Sequence, residues 1–227
     1  MIASADSDLI GVLLLSLQVS LTATVIASVM GLAIGLCLAT YPFAGRAVVV
    51  SLLNTLLGLP SVVVGLLVYI LLSRAGPLGT FGLLFTPTAM VIAQTLLITP
   101  LVAALSRQAF SQSWQDYAPL LQSLGLPLTH RARALIRQTR WTLVTITLTA
   151  LGRAISEVGA VMIVGGNIAG VTRVMTTSIA LETSKGEISK ALALGLVLLG
   201  TVLIINVCAY LVRRDPALTM QTEAPRV

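Results

Sequence analysis

Charge is what this chain lacks. Of its 227 residues only 10% are Asp, Glu, Lys or Arg, where a soluble globular domain carries roughly a quarter. With 56% hydrophobic residues, the composition is that of an integral membrane protein. Two cysteines and one histidine leave too little for a disulfide framework or a clustered metal site. Cys37 and Cys208 fall inside apolar runs and read as free buried thiols, and His130 as a solvated residue near the membrane surface. Familiar catalytic patterns are missing too. Without GxxxxGK(S/T) there is no phosphate loop, so ATP is not hydrolysed by that route. The absence of HExxH and GxSxG argues against a metalloenzyme or an intramembrane protease. Carboxylates are nearly absent from the apolar runs, Glu157 excepted, and no inverted repeat is evident, which disfavours a proton-coupled secondary transporter. No enzyme activity is expected of the chain itself.

What is present is a set of long uncharged runs, and about 20 apolar residues cross a hydrocarbon core of about 30 Å. Residues 9–45 and 47–73 hold no charge, and 83–105 and 191–212 are further candidates. The run 142–164 is broken only by Arg153 and Glu157. These predict an all-α membrane bundle of about five spans over residues 9–212. A short N-terminal tail, 1–8, precedes it, and a disordered cytoplasmic tail, 213–227, follows. The start lacks a basic n-region, so the first run reads as a retained helix. Lys and Arg set the orientation. With the N-terminus outside, Arg46, Arg107, Arg131, Arg133, Arg137, Arg140, Arg213, Arg214 and Arg226 lie inside, and only Arg74, Arg173, Lys185 and Lys190 outside. The net charge of +6 is therefore a topology signal, and nucleic acid is not an expected partner. Pro60 with Gly58 and Gly65 predicts a kinked second span, and Pro100 a kink in the third. Ala27, Gly31, Gly35 and Ala39 form a ridge for close helix packing.

Two connections are longer than turns, and such connections tend to be functional. In the inner one, 106–141, a helix starting at Ser113 would put Pro119 in its interior, at about 3 kcal/mol. Starting at Asp116 places Pro119 in the first turn and ends the helix at Gly125, with Pro127 beyond. The expected helix, 117–124, carries Leu120, Leu121 and Leu124 on one face and is too short to be stable alone. With the basic segment that follows, for which Thr129 is a candidate cap, it reads as a docking element for a cytoplasmic partner. For the arginines alone the simpler reading is a lipid-headgroup patch.

In the fourth run Thr142, Thr145, Thr149, Arg153, Ser156 and Glu157 fall within an arc of about 120° at 100° per residue. An ionisable residue inside a span normally faces the bundle interior and finds a partner. Two readings stay open. The pair and the hydroxyls lock this helix against its neighbours, or the stripe lines a path for an anion at a homodimer interface. Along such a path, weak hydroxyl and backbone contacts are expected more than an arginine clamp, since tight binding impedes release. The outer connection, 165–189, leaves through Gly165, Gly166 and Asn167. Its Val174, Ile179 and Leu181 suit a helix lying in the outer interface.

"DYAPLLQSLG" followed by a helix resembles the cytoplasmic coupling loop of binding-protein-dependent ABC importer permeases, whose pattern is Glu-Ala-Ala, three residues, Gly. Pro119, Leu120 and Leu121 stand where that pattern has Glu, Ala and Ala; Gly125 is kept, and the later Ile-x-Leu-Pro element is missing. "GLPSVVVGLLVYILL", "AGPLGTFGLLFTPTAMVIAQTLLITPLV" and "GRAISEVGAVMIVGGNIAGVTRVMTTSIALETSKG" together resemble the molybdate and tungstate branch, the last stretch being most similar to the tungstate type. The resemblance runs from about residue 10 to 212. It implies the type I importer permease fold in a prokaryotic plasma membrane. It implies a homodimer, with cytoplasmic ATPase subunits that hold ATP and Mg, and an extracytoplasmic oxyanion-binding protein. The chain itself binds no cofactor or metal. The coupling loop would use Asp116, Pro119, Leu120, Leu121, Leu124 and Gly125, and the binding-protein side Asn167, Arg173 and Lys185. Import of tungstate, then molybdate, is the implied function. A sulfate or phosphate permease and a stand-alone anion channel are the alternatives.

Overall fold

A computed structural model describes residues 2–123 and 127–212. Leu124, Gly125 and the tail from 213 lie outside the described residues, as do the side chains of Leu120, Leu121 and Cys208. Among the described residues the chain is helical, without strands: α1 (Ile2–Thr40), α2 (Arg46–Leu57), α3 (Ser61–Leu72), a 3₁₀ turn (Gly79–Phe81), α4 (Pro87–Ser123), α5 (Leu128–Ile155), α6 (Gly159–Gly165), α7 (Met175–Ser184) and α8 (Ile188–Val212). Within α1, α4 and α8, the stretches Leu9–Thr40, Pro87–Pro119 and Ile188–Val207 are each long and apolar enough to cross a membrane. The pairs α2/α3 and α5/α6 pass the same test only together, bent by 102° and 56°.

Packing shows what the bent pairs do. A Cβ on Gly31 would meet Val102 and the Ala103 nitrogen, and one on Gly35 would meet Ser106 and the Arg107 nitrogen. Four residues along α1 thus match four along α4, so the two helices run parallel, and Ser106 Oγ donates to the Gly31 carbonyl at 3.3 Å. The small-residue ridge is this seam, with Ala27 and Ala39 buried beside Ile98 and Val102. In that register the start of α4 lies about 24 residues back along α1 from its end, about 36 Å at 1.5 Å per residue. The intervening α2/α3 pair must return the chain over that height. The α5/α6 pair does the same, because the Phe85 N–H, just before α4, donates to the Val164 carbonyl at 3.0 Å. With each bent pair as one crossing, the chain spans five times.

The second crossing is not one kinked helix. Gly58 and Pro60 separate two 12-residue helices, and α2 has no buried residue. The long connection 106–141 is also more regular than expected. No helix begins at Asp116: α4 continues without interruption from Pro87 to Ser123 with Pro100 and Pro119 inside it. The reason is tertiary, since Phe110 and Ser113 on this extension are buried and Phe110 and Trp114 pack with Leu135 of α5. Tyr117 Oη accepts a hydrogen bond from Gln138 Nε2 at 3.0 Å across the same hairpin. Burial of this face outweighs the proline penalty of about 3 kcal/mol. Nor does Thr129 cap the next helix, which starts at Leu128 after Pro127 without a side-chain cap. At the other end, α7 does not lie wholly on the surface: Met175, Thr176, Thr177 and Ser178 of its first turns are buried. Cys37 is free but exposed, contrary to the buried thiol expected.

Candidate functional site

The fourth crossing breaks at residues 156–158, where no proline stands. A helix break inside a membrane frees backbone groups that water cannot satisfy, so protein must. Ala154 O accepts from Gln94 Nε2 of α4 at 3.0 Å and from the Glu157 N–H at 3.2 Å. Thr176 Oγ1 of α7 donates to Glu157 O at 2.8 Å. On the far side of the break, the Ala160 N–H in the first turn of α6 donates to Glu157 Oε1 at 3.1 Å. The other carboxylate oxygen, Oε2, accepts from Arg153 Nη1 at 2.7 Å. Glu157 is thus held on both oxygens and joins α5 to α6 across the bend.

The two partners differ in exposure, which separates their roles. The Glu157 side chain is 2% exposed and that of Arg153 43%. Thr142, Thr145, Thr149 and Ser156 are exposed as well, so the stripe faces outward from the chain while the carboxylate sits behind it. Three of the four hydroxyls bond to backbone of their own segment. Thr145 Oγ1 donates to Trp141 O at 3.0 Å, Thr149 Oγ1 to Thr145 O at 2.9 Å and Ser156 Oγ to Arg153 O at 3.1 Å. Their protons are taken by their own helix, so they present lone pairs outward. Among the described side chains of the stripe, the guanidinium of Arg153 is the one charged N–H donor that faces away from the protein.

At its Thr142 end the stripe opens on a cavity of about 220 Å³ lined by Gln112, Asp116, Tyr117, Gln138 and Thr142. Asp116, expected as a helix cap, instead stands exposed on α4 beside Thr142, and Pro119 is exposed on the same extension. At the opposite end of the bundle a cavity of about 310 Å³ is bounded by Gly11, Val12, Leu15, Gly170, Val171 and Arg173. The half-buried Arg173 is oriented by Asn167, through Nε to Oδ1 and Nη2 to the carbonyl, both at 3.3 Å. Asn167 adopts φ 51°, the left-handed region that asparagine tolerates better than most residues. Lys185 pairs with Glu182 at 2.7 Å. That hydrogen bond, with the nearby charges of Lys185, Lys190 and Arg173, holds the Glu182 carboxyl below its usual range despite some desolvation.

The structure therefore brings Thr142, Thr145, Thr149 and Arg153 of α5 together with Ser156 and Glu157 at the break that ends it, with the residues of the α4/α5 connection and those of residues 165–189 in separate clusters. Two supporting residues were missed. Gln94 is the sole amide in the apolar run 83–105, and that isolation was a usable signal. Thr176 carried none, because nothing local ties residues 165–189 to a bend 19 residues earlier.

No protein-family model matches the chain. It is 44% identical over 203 residues, 87% of this chain and 88% of the relative, to a probable anion ABC transporter permease protein of Haloferax volcanii. It is 41% identical over 215 residues, 95% and 94% of the two chains, to the tungstate uptake system permease protein TupB of Peptoclostridium acidaminophilum. The TupB of Campylobacter jejuni is 37% identical over 77% of this chain and 73% of its own. The sulfate transport system permease protein CysW of Escherichia coli is further away, at 28% over 74% and 60%. With identities this high over nearly whole chains, joined to five apolar crossings, the protein is an integral membrane protein of the ABC transporter permease family.

Proposed function

We propose that this chain is the permease subunit of an ATP-driven tungstate importer of a prokaryotic plasma membrane, with molybdate the next candidate. It works as a homodimer whose two α5 stripes face each other across the translocation path. The observation that carries the reading is the uncovered stripe on α5. A polar face within an apolar crossing is costly against lipid, so it meets water or a second protein surface. In this reading the N-terminus is outside and the C-terminus inside, following the Lys/Arg distribution. Two cytoplasmic ATPase subunits, which hold ATP and Mg, dock on residues 116–140, including Asp116, Pro119, Leu120, Leu121, Leu124 and Gly125. The continuity of α4 from the crossing into that segment supports coupling, because a push on the inner end is transmitted along one rigid helix. An extracytoplasmic binding protein delivers the oxyanion to the outer surface that includes Asn167, Arg173 and Lys185.

The substrate follows the relatives, tungstate uptake permeases at 41% and 37% identity against sulfate permeases at 25–28%. The test is elemental mass spectrometry of cells with and without the gene, grown in trace tungstate and molybdate. Loss of cellular tungsten with molybdenum little changed is expected. Unchanged tungsten and molybdenum, with no second transporter present, would overturn the assignment.

A further inference from the structure

We propose that Glu157 acts as a counter-charge that keeps Arg153 from retaining the oxyanion in transit. This rests on the path reading above and names what regulates passage at that same site. Arg153 offers the path charged N–H donors, and an unscreened guanidinium in a low-dielectric passage would hold a tetrahedral dianion too well to let it leave. Conduction needs binding strong enough to admit the ion and weak enough to release it. The carboxylate of Glu157 lies 2.7 Å from Arg153 Nη1 on the side away from the stripe, at 2% exposure. The Ala160 N–H anchors its other oxygen, so it neither swings into the passage nor leaves the arginine. It repels the dianion from behind while the guanidinium attracts it in front.

The charge count sharpens the argument. In the homodimer two Arg153–Glu157 pairs meet the passage with no net charge. Removing both carboxylates would leave two positive charges opposite the two negative charges of the oxyanion, which makes a transit point into a resting place. The hydroxyls do not compensate, because those of Thr145, Thr149 and Ser156 already donate to their own helix.

The experiment uses the permease assembled with its ATPase and binding protein in proteoliposomes, and the permease–ATPase complex alone for equilibrium tungstate binding. Glu157→Gln keeps an oxygen for the Ala160 N–H and removes the charge. The expected result is tungstate binding without binding protein at least about ten-fold tighter than wild type, with maximal uptake lowered about ten-fold, as Coulomb attraction in a screened interior predicts. The double variant Arg153→Gln, Glu157→Gln should return binding to the weak wild-type level. Should Glu157→Gln fail to assemble, Thr149→Arg places an uncompensated charge on the same exposed face and should likewise retain tungstate and slow uptake. Loss of uptake in an assembled Glu157→Gln complex, with binding at or below wild type, would overturn the proposal and leave Glu157 a purely structural brace. So would a Thr149→Arg complex that binds and transports like wild type. A wild-type complex that moves no tungstate on ATP would instead overturn the function on which the inference rests.

Discussion

At the break between α5 and α6 the Ala154 and Glu157 carbonyls and the Ala160 N–H have side-chain partners, and those partners define what a substitution removes. Thr176 is buried and its hydroxyl holds the Glu157 carbonyl at 2.8 Å. Thr176→Val keeps the shape but leaves that carbonyl without its donor inside the bundle. A loss of about 1–3 kcal/mol is expected, read as earlier thermal unfolding of the detergent-solubilised protein. Gln94→Leu should fall in the same range, because Ala154 O loses its side-chain donor. Equal stability of either variant to wild type would mean that water reaches the break. At this scale the sequence was partly legible. Helical periodicity placed Arg153, Glu157 and the threonines on one face, and the outward exposure of that face agrees. What it could not reveal is that the hydroxyls turn inward to their own carbonyls, since an i to i−4 bond and a solvent-facing hydroxyl have the same spacing.

Among elements, the short helices α3 and α6 pack closely. A Cβ on Gly65 would sit 2.7 Å from Ala160 Cα, and one on Gly159 2.9 Å from Ser61 Oγ. The two helices therefore begin side by side, each at a break in its own crossing. Gly65→Val has no flexible neighbour to displace at Ala160, whose backbone is the obstacle, so the pair must separate. Overpacking of this kind costs about 1–3 kcal/mol or more, and the measurable outcome is a lower yield of folded protein and a lower Tm. Gly195→Ala on α8, where nothing lies within 4 Å of the added carbon, is the matched control and should be neutral or slightly stabilising. The uncharged runs announced these crossings, because length and apolarity suffice for that. Their breaks were legible only where Gly58 and Pro60 marked one; the other is made by Glu157, Gln94 and Thr176, three residues far apart in the chain. The expected helix start at Asp116 failed for a similar reason. Local capping preference, about 1 kcal/mol, was weighed without the burial of Phe110 that holds α4 straight through.

For the whole molecule, the crossings show their unfinished surface. α8 is scarcely buried in the single chain, with Leu192, Leu196, Leu199 and Leu203 exposed, an apolar surface suited to lipid. The α5 stripe is polar and suited to a second copy. These two surfaces make opposite predictions for cross-linking in membranes. In a background with Cys37→Ser and Cys208→Ala, Thr149→Cys should give a covalent dimer with a short membrane-permeant bismaleimide, because two stripes that share a passage bring symmetric residues together. Leu199→Cys, equally accessible on the lipid side, should remain monomeric on denaturing gels. Tungstate uptake should decline with the Thr149→Cys cross-link and persist with the reagent alone on the unsubstituted background. A dimer trapped through Leu199 but not Thr149 would move the two-fold contact to α8 and leave the polar stripe facing water within a single protomer. That arrangement is the geometry of a channel enclosed by other subunits, and it would separate the passage from the homodimer while leaving membership of the permease family intact.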